Sequence, residues 1–393
     1  MVEWKELGAL GKFENIGTDK KTIDGEQLVT LLNYVDVYHN KHIDATVPQM
    51  VVSASDQKII NCTVEQGDIF VTPSSETVDD IGHSAVIEET IPNAVYSYHL
   101  MRYRLFGRNM LLSYYINYAF DTENVKKQIL KKAQGLTRFG LSKDKFSSIQ
   151  IPIPSISVQQ QIVDILDTFT SSIDNLKQQI EQRRKQYEFY RDNLLDLEGK
   201  GGVEMKTLKE VFDTRNGYTP STANSSFWED GTIPWFKMED IRDNGRLLND
   251  SNLHITPNAI KGKGLFKANS IILATSATIG EHALITVDHL CNQRFTNFYP
   301  KKEYLAKIEM KFVYYYMFLI NKWCKQHINQ GGFASVDMGG LYNLTFPIPS
   351  VEEQQRIISI LDTFEESIRN LEEQLKLREK QYEYYRNKLL TFE

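Results

Sequence analysis

A stripe of hydrophobic residues with heptad spacing appears twice in the chain and is the strongest pattern in the sequence. The first copy runs from Ile162 to Leu197 in steps of four and three residues, and the second runs from Ile357 to Phe392 in the same steps. Each residue of the first copy lies 195 positions before its counterpart, and roughly half of the paired residues are identical. The chain therefore consists of two copies of one unit.

The stripe predicts two long amphipathic helices. A hydrophobic period of about 3.5 residues held over about five heptads buries a narrow seam against a partner helix, and most positions between are polar. Arg183 and Arg378 interrupt the seam at the same position, where we expect the stem to lie along the seam while the guanidinium reaches solvent or fixes the register. The predicted seam residues are Ile162, Leu166, Phe169, Ile173, Leu176, Ile180, Tyr187, Tyr190 and Leu194 in the first helix and Ile357, Leu361, Phe364, Ile368, Leu371, Leu375, Tyr382, Tyr385 and Leu389 in the second.

Each helix of about 36 residues is expected to be roughly 50 Å long. Because neither can bury its stripe alone, we expect the two helices to pack on each other. Antiparallel packing would relate the units by a pseudo-twofold axis and put the globular parts at opposite ends of a rod, whereas parallel packing would put both at one end. The period does not decide between them. Pro152–Ser155 and Pro347–Ser350 predict an extended chain before each helix, and Ser350 with Glu353 has the spacing of a capping box.

The remaining sequence predicts an α+β globular domain before each helix, because short β-type runs precede helical segments. In the first domain the predicted strands are Leu28–Leu32, Lys58–Cys62, Asp68–Thr72 and Ala85–Ile87, and the predicted helices are Met110–Phe120 and Glu123–Ala133. The predicted boundaries are residues 1–150 for the first globular domain, 151–198 for the first long helix, 199–204 for a glycine-rich joint, 205–345 for the second globular domain and 346–393 for the second long helix.

The two globular domains are expected to share a scaffold but little sequence. Ser270–Thr275 predicts a strand that matches Asp68–Thr72, and a helix at Phe312–Trp323 matches Met110–Phe120. Gln330–Phe333 stands where Gln134 and Gly135 stand in the first domain. Helices that repeat closely beside globular domains that diverge favour two copies of one partner on the helices and two different ligands on the domains.

Composition limits the possible functions. A net charge of −6 over 393 residues is unusual for a protein that holds nucleic acid alone, so such a role needs local basic patches or partner proteins. The three cysteines, without a CxxC pair, predict reduced thiols. The run Phe312–Ile320 is too short to span a membrane and the first residues lack an apolar signal core, which predicts a cytoplasmic protein without a membrane partner.

The sequence contains no recognisable motif for catalysis, nucleotide binding or metal binding. It lacks GxxxxGK[ST], HExxH and GxSxG, and it lacks the N/D-P-P-Y/F tetrapeptide of amino-methyltransferases. His39 and His42 have the spacing of a shared metal site on a helix, but an exposed loop without a metal is the preferred interpretation. For the aromatic run from Phe312 to Phe318, a packed helix is favoured over a surface that stacks on bases.

Basic residues cluster in both globular domains. A single cluster can be no more than a solvated face, but clusters in both domains favour contact with phosphates. They comprise Arg102, Arg104, Arg108, Lys126, Lys127, Lys131, Lys132 and Arg138 in the first domain and Lys261, Lys263, Lys267, Arg294, Lys301 and Lys302 in the second.

Together these features resemble the DNA-specificity subunits of type I restriction-modification systems, over the whole chain. The Ile-Pro-Ser segment and the Gln-Gln, Leu-Asp and Gln-Tyr positions of both helices are similar to the repeated central regions of that family. The second globular domain carries the pattern in Gly217–Ser221, Trp228, Ile233–Trp235, Asp240–Ile241, Ile255–Thr256, Thr275–Gly280 and Asn292–Gln293. The first domain departs from it, since it lacks the Thr-Pro-Ser turn and the paired tryptophans.

The resemblance implies a chain that performs no chemistry and binds no cofactor or metal. Two α/β target-recognition domains, separated by a pair of antiparallel coiled-coil helices, would each read one half of an asymmetric, split sequence in double-stranded DNA. The helices would set the spacer between the halves and dock two methyltransferase subunits, which bind S-adenosylmethionine and methylate adenine N6. Two restriction subunits with translocase activity dependent on ATP and Mg would join in systems that also cut DNA.

Base reading needs exposed side chains with paired donors or acceptors, which turns of both domains supply. For each Ser and Thr the alternative is simple turn capping. The candidate DNA-binding residues are Ser74, Ser75, Gln134, Thr137 and Arg138 in the first domain and Thr219, Ser221, Lys261, Lys263, Ser276, Thr278, Gln330 and Phe333 in the second.

Two other functions compete with this interpretation. In a coiled-coil interaction scaffold that reads no DNA, exchange of residues 205–345 would leave the methylated sequence unchanged. An enzyme with an unfamiliar site would need a convergent nucleophile, base or metal cluster, which the sequence does not indicate.

Overall fold

The computed structural model describes residues 2–107, 109–329 and 334–392. Arg108 and the candidates Gln330 and Phe333 lie outside these described residues. The chain divides into two compact units, one formed by Met1–Gln178 with Glu372–Glu393 and the other by Gln179–Leu371. Each unit contains a globular part, called here the first head (residues 3–153) and the second head (residues 204–348), together with a part of each long helix.

The first head is a mixture of short strands and helices, as the sequence predicts. Its strands are Glu3–Glu6, Gly11–Glu14, Gln27–Leu32, His42–Ile43, Met50–Ala54, Ile69–Val71, Ser74–Ser75, Ser84–Ile87, Ala94–Tyr96, Met101–Leu105, Phe139–Gly140 and Gln150–Ile153. Its helices are Leu7–Leu10, Tyr34–His39, Asp56–Asn61, Met110–Ala119, Glu123–Lys132 and Lys143–Ser147, with a 3-10 turn at Val78–Asp80.

The strand prediction for Lys58–Cys62 is wrong, because this segment belongs to the helix Asp56–Asn61. Ser55 precedes the helix with extended backbone, and Asp56 places a carboxylate in the first turn, where it interacts favourably with the helix dipole. Ile59 packs against the core whereas Ile60 is 69% exposed. Two adjacent isoleucines favour a strand locally, but the start signals of the helix prevail.

The second head is built in the same way. Its strands are Glu204–Thr207, Phe212–Asn216, Ile233–Phe236, Leu247–Leu248, His254–Ile255, Ser270–Ala274, His282–Ile285, Leu290–Cys291, Phe295–Pro300, Ile328–Asn329, Ser335–Val336 and Thr345–Ile348. Its helices are Leu208–Val211, Met238–Asn244, Met310–Gln326 and Met338–Asn343, with 3-10 turns at Ser225–Phe227, Pro257–Ala259 and Lys302–Tyr304.

Both heads have the same sheet topology. A five-stranded sheet runs in the order Gly11–Glu14, Met101–Leu105, Ile69–Val71, Ser84–Ile87 and His42–Ile43 in the first head, and Phe212–Asn216, Phe295–Pro300, Ser270–Ala274, His282–Ile285 and Leu247–Leu248 in the second. A three-stranded sheet runs in the order Met50–Ala54, Gln27–Leu32 and Ala94–Tyr96, and correspondingly His254–Ile255, Ile233–Phe236 and Leu290–Cys291. The pairing with the third strand is parallel in both heads.

The five-stranded sheet has a core on each face. In the first head, Ile69 and Val71 pack against the helices, while Phe70 between them packs against the three-stranded sheet. In the second head, Ile271 packs against the helices and Ile272 packs against the three-stranded sheet. This alternation is the normal consequence of the two-residue period of a strand. The shared scaffold that the sequence predicts for the two heads is confirmed.

Each head closes directly before its long helix. Glu3–Glu6 pairs antiparallel with Gln150–Ile153, and Glu204–Thr207 pairs in the same way with Thr345–Ile348. The side-chain amides of Gln159 and Gln354 then donate to the carbonyl oxygens of Pro154 and Pro349, at 2.9 Å in both cases. The predicted extended segments before the helices are therefore confirmed.

The two long helices, Ile156–Leu195 and Val351–Leu390, pair antiparallel. In the first unit the ring of Phe169 stacks on Tyr385 with centroids 5.4 Å apart, and the Arg378 guanidinium lies over Phe169. In the second unit the same contacts recur 195 residues on, with Phe364 stacked on Tyr190 at 5.3 Å and covered by Arg183. An early segment of one helix thus meets a late segment of the other in each unit.

The hydrophobic stripe divides its contacts between the heads and the partner helix. Ile162 and Leu166 are buried in the core of the first head, and Ile357 and Leu361 in that of the second. The partner helix contributes to the same cores, with Leu390 in the first and Tyr187 in the second, so the seam continues into the heads. The first turns of each helix complete a head core because the closing strands place them against it.

A tyrosine anchors each head to the long helix that follows it. The Tyr118 hydroxyl donates to Asp167 Oδ1 at 2.5 Å, and the Tyr315 hydroxyl donates to Asp362 Oδ1 at the same distance. In the second unit Tyr315 also contacts Glu365 at 3.2 Å. Burial raises the pKa of Glu365, although hydrogen bonds from Tyr187 and Tyr315 favour its charged form. Among the described residues, no helix combines the length and the apolar character that crossing a membrane requires.

Candidate nucleic-acid interface

A short ribbon in the first head brings its five candidate residues together. Ser74–Ser75 pairs antiparallel with Phe139–Gly140, so the chain from Gln134 to Arg138 forms an exposed loop beside it. The backbones of Gln134 and Gly140 exchange two hydrogen bonds of 3.0 and 2.8 Å that close this loop. The Arg138 guanidinium lies 3.4 Å from Ser74 Oγ.

Three residues of the first head that the sequence did not single out share this surface. The pKa of His99 is lowered, first by burial and then by the positive charges of Lys20 and Arg138, so these two cations lie near the neutral His99 ring. Tyr98 is 49% exposed, with its ring centroid 3.9 Å from that of His99. A basic and aromatic surface of this kind suits contact with a nucleic acid.

Backbone pairing explains why Lys20 lies beside His99. The Thr18 amide donates to the Tyr96 carbonyl at 2.7 Å, and the Tyr98 amide donates to the Thr18 carbonyl at 3.1 Å. The two segments are so close that a Cβ at Gly17 would lie 2.5 Å from the Ser97 carbonyl oxygen. Gly17 therefore permits the loop that carries Lys20.

The second head builds the corresponding loop with Gly217 and Tyr218. The Tyr218 amide donates to the Cys291 carbonyl at 2.8 Å, and a Cβ at Gly217 would lie 2.2 Å from that oxygen. Beyond this contact, the Thr219 hydroxyl donates to Gln293 Oε1 at 2.5 Å. The Gly17-Thr18 and Gly217-Tyr218 pairs are the sequence signal that could have located Lys20.

The paired tryptophans of the second head hold this loop. Trp228 Nε1 donates to the Ser221 carbonyl at 3.1 Å and Trp235 Nε1 to the Tyr218 carbonyl at 2.9 Å. Their rings meet edge to face with centroids 5.1 Å apart. The Tyr218 hydroxyl accepts from the Lys261 amide at 2.8 Å, which positions the exposed turn that carries Lys261 and Lys263 next to the loop.

Ser276 and Thr278 approach the same place from the other side. Ser276 forms a bridge with Ser335, and the Thr275 amide donates to the Arg294 carbonyl at 2.9 Å. Thr219 on one side, and Thr275 next to Ser276 on the other, therefore contact the turn that contains Gln293 and Arg294. Neither residue was a DNA-binding candidate, although the family pattern ends on Gln293 and the basic cluster includes Arg294.

Part of the predicted basic clusters is used inside the fold. Arg102 is 4% exposed and pairs with Glu14, and Arg104 Nε lies 2.6 Å from Asp68 Oδ1. The interpretation of these two arginines as phosphate contacts is wrong, because their guanidinium groups are held in ion pairs with carboxylates of the same head. Lys132 and Lys301 likewise direct their ammonium groups to backbone carbonyl oxygens, of Ser148 and Lys209.

The histidine pair and the aromatic run have structural roles. His39 ends the helix Tyr34–His39, whereas His42 lies in a strand with Nδ1 3.0 Å from Glu88 Oε1. The expected exposed loop is wrong for His42, because the pairing of His42–Ile43 with the sheet orders it. Over the part of the chain that the structure describes, no group of His, Cys, Asp and Glu residues could hold a metal ion. The packed helix preferred for the aromatic run is confirmed, with Phe312 and Tyr315 fully buried.

Comparison with known proteins identifies the class of protein that this fold belongs to. A family model described as "Type I restriction modification DNA specificity domain" matches residues 3–183 and 200–378. The chain belongs to this family and is a specificity subunit with two such domains.

Individual relatives agree with this assignment. The specificity subunit of the type I restriction enzyme EcoprrI from Escherichia coli is 46% identical over 52% of this chain and 53% of its own length. The EcoR124I/EcoR124II specificity subunit from Escherichia coli is 30% identical over 100% of this chain and 94% of its own length. The solved S subunit of a type I restriction-modification system from M. genitalium has the same fold, with a TM-score of 0.55, 13% identity and coverage of 100% of this chain and 97% of its own.

Proposed function

We propose that each head reads one half of an asymmetric, bipartite DNA sequence, and that the paired helices set the spacing between the halves. The observation that carries this proposal is that the same loops come together in both heads. Loops at the same topological positions converge in both heads but present different side chains, namely Lys20, Tyr98 and His99 in one and Thr219, Gln293 and Arg294 in the other. Loops with equivalent backbone structure and different side chains are suited to the reading of two different sequences.

The DNA-contacting residues that we propose lie on these loops. Phosphate contacts from exposed cations would fix each head on the duplex, and hydroxyl and amide groups would reach base edges. The set comprises Ser74, Ser75, Gln134, Thr137 and Arg138 of the first head and Thr219, Ser221, Lys261, Lys263, Ser276 and Thr278 of the second, with Gln330 and Phe333 retained from the sequence alone.

Substitution of Arg138 by alanine tests the interface of the first head. Arg138 is exposed and contacts a serine hydroxyl, so its charge is available to a phosphate. We expect the Arg138→Ala complex to bind its DNA about three- to tenfold more weakly, with a salt dependence reduced by about one counterion. Affinity should be measured on the complex assembled with methyltransferase subunits over a range of salt concentrations.

Lys5→Ala is the matched control for Arg138→Ala. Lys5 lies on the closing strand Glu3–Glu6 and pairs with Glu3, away from the converging loops. Its removal should leave DNA affinity and salt dependence unchanged. Equal effects of the two substitutions, or no effect of Arg138→Ala, would remove Arg138 from the interface.

A repeated aromatic pair on the long helices supports docking of two methyltransferase subunits. Phe189 and Tyr190 are 64% and 47% exposed, and their counterparts Tyr384 and Tyr385 are 58% and 41% exposed. Other exposed positions of the same helices invert their charge between the copies, as in Asp174 and Arg369 or Glu181 and Lys376. Exposed aromatic residues are typical of the centres of protein interfaces. The aromatic pair is kept in both helices while charged positions differ, which favours one kind of partner that binds to both copies in the same way.

We further propose that the chemistry belongs to these partners. The methyltransferase subunits would bind S-adenosylmethionine and transfer its methyl group to adenine N6. A restriction subunit, in systems that have one, would bind ATP and Mg. This chain would act by positioning its partners on the target, without a catalytic residue of its own.

A further inference from the structure

The turn Asn292–Phe295 lies at the centre of the converging loops of the second head. On one side the Gly217 amide donates to the Phe295 carbonyl at 3.0 Å. On the other side the Thr275 amide donates to the Arg294 carbonyl at 2.9 Å. The Thr219 hydroxyl holds the Gln293 side chain. Both adjoining loops are thus hydrogen bonded to this turn.

The first head contains the same turn at Ser97–Leu100. The Leu100 amide donates to the Ser97 carbonyl at 2.9 Å, as the Phe295 amide donates to the Asn292 carbonyl at 3.2 Å. The side chain of the first residue also accepts from the amide two residues on, at 3.3 Å from Ser97 Oγ and 3.0 Å from Asn292 Oδ1. The backbone construction is therefore shared, and the two central residues differ.

The central residues are placed to meet a ligand. Gln293 and Arg294 are both exposed. Among the described residues, no salt bridge uses the Arg294 guanidinium. A glutamine amide pairs with the N6 and N7 atoms of adenine, and an arginine guanidinium pairs with the O6 and N7 atoms of guanine, in the major groove.

We propose that this turn is the specificity-determining element of each head, with Arg294 contacting the major-groove edge of a guanine and Gln293 that of a neighbouring adenine. Thr219 is a positioning residue, since its hydroxyl orients the Gln293 amide. Tyr98 and His99 hold the equivalent place in the first head and read its half of the target. This inference rests on the proposed reading of a bipartite sequence and adds the residues that choose the bases.

The test uses the complex assembled with methyltransferase subunits and pools of DNA duplexes in which one half of the target is randomised. Arg294→Ala should reduce discrimination at one base pair by about tenfold to a hundredfold, and only in the half read by the second head. His99→Ala should alter the other half only. Lys209 is an exposed lysine of the helix Leu208–Val211, which precedes the strand Phe212–Asn216, and Lys209→Ala should leave the selected sequence unchanged.

Thr219 separates positioning from folding. Thr219→Val removes the hydroxyl and should weaken discrimination at the base pair beside that of Arg294, whereas Thr219→Ser keeps the hydroxyl and should restore it. A uniform loss of affinity in Arg294→Ala with an unchanged selected sequence would make Arg294 a phosphate contact and overturn the inference. A wild-type complex that selects no sequence would instead contradict the proposed function itself.

Discussion

If two methyltransferase subunits dock on the repeated aromatic pairs as proposed, replacement of Tyr384 and Tyr385 by serine is expected to remove one of them from the assembled complex. Tyr384 is 58% exposed, and Tyr385, which stacks on Phe169 with one face, is still 41% exposed; the two rings pack edge to face with centroids 5.3 Å apart. Buried aromatic anchors commonly contribute more than 2 kcal/mol each to binding, so the double substitution should weaken this subunit's binding by about a hundredfold or more. Native mass spectrometry at micromolar concentration should show one methyltransferase per specificity subunit.

The repeat supplies the matched control. Phe189→Ser with Tyr190→Ser should remove the other methyltransferase subunit, and all four changes together should leave the specificity subunit alone. Lys185→Ala with Lys380→Ala changes exposed residues that are identical in both helices and should keep both subunits. Retention of two methyltransferase subunits by the fourfold aromatic variant would show that docking uses another surface.

Of the substitutions described for this protein, Asp362→Ala is expected to lower the free energy of unfolding the most. The carboxylate accepts from the Tyr315 hydroxyl at 2.5 Å and from Lys311 Nζ at 2.7 Å, and Tyr315 is fully buried. Its removal weakens the anchor between the second head and its long helix and leaves a buried hydroxyl with one longer partner, Glu365. Asp362 itself is 37% exposed, so loss of its hydrogen bonds should cost about 2 kcal/mol in the free energy of unfolding, which urea unfolding measures.

Two variants separate this contact from a general effect of mutation on the helix. Thr363→Ala removes an exposed hydroxyl that donates within its own helix to the Ser359 carbonyl, and it should be nearly neutral. Asp362→Asn keeps an acceptor for Tyr315 and should cost less than alanine. If Asp362→Ala and Thr363→Ala had the same stability, the tyrosine would not anchor the head.

The helices and the repeated scaffold were predictable because their signals are local and occur twice. The heptad period of the stripe from Ile162 to Leu197 is visible in the local sequence. The second stripe repeats the same period 195 residues later. The direction of pairing came from the resemblance, since the period is the same for parallel and antiparallel helices. The contacts of Phe169 with Tyr385 and of Tyr190 with Phe364 confirm it.

The interface was predictable only in part, because it depends on pairing between distant segments. Lys20 and His99 lie near each other because the segments after two strands, Gly11–Glu14 and Ala94–Tyr96, bond to each other. Only the Gly17-Thr18 pair, matched by Gly217-Tyr218 in the second head, gives a sequence signal for this arrangement. Arg102 and Arg104 show the opposite case. Two residues of a basic cluster in the sequence are neutralised in the fold, because Glu14 and Asp68 from distant segments form ion pairs with them.

The central claim is that each head chooses one half of the DNA target. Its most direct test is to replace residues 204–348, bounded by the paired closing strands, with the corresponding head of a relative that has a different target, and to map methylated adenines in DNA from cells that carry the complex. We expect one half of the methylated sequence to change while the other half stays the same. An assembled, active complex that methylates the original sequence after the exchange would contradict the claim.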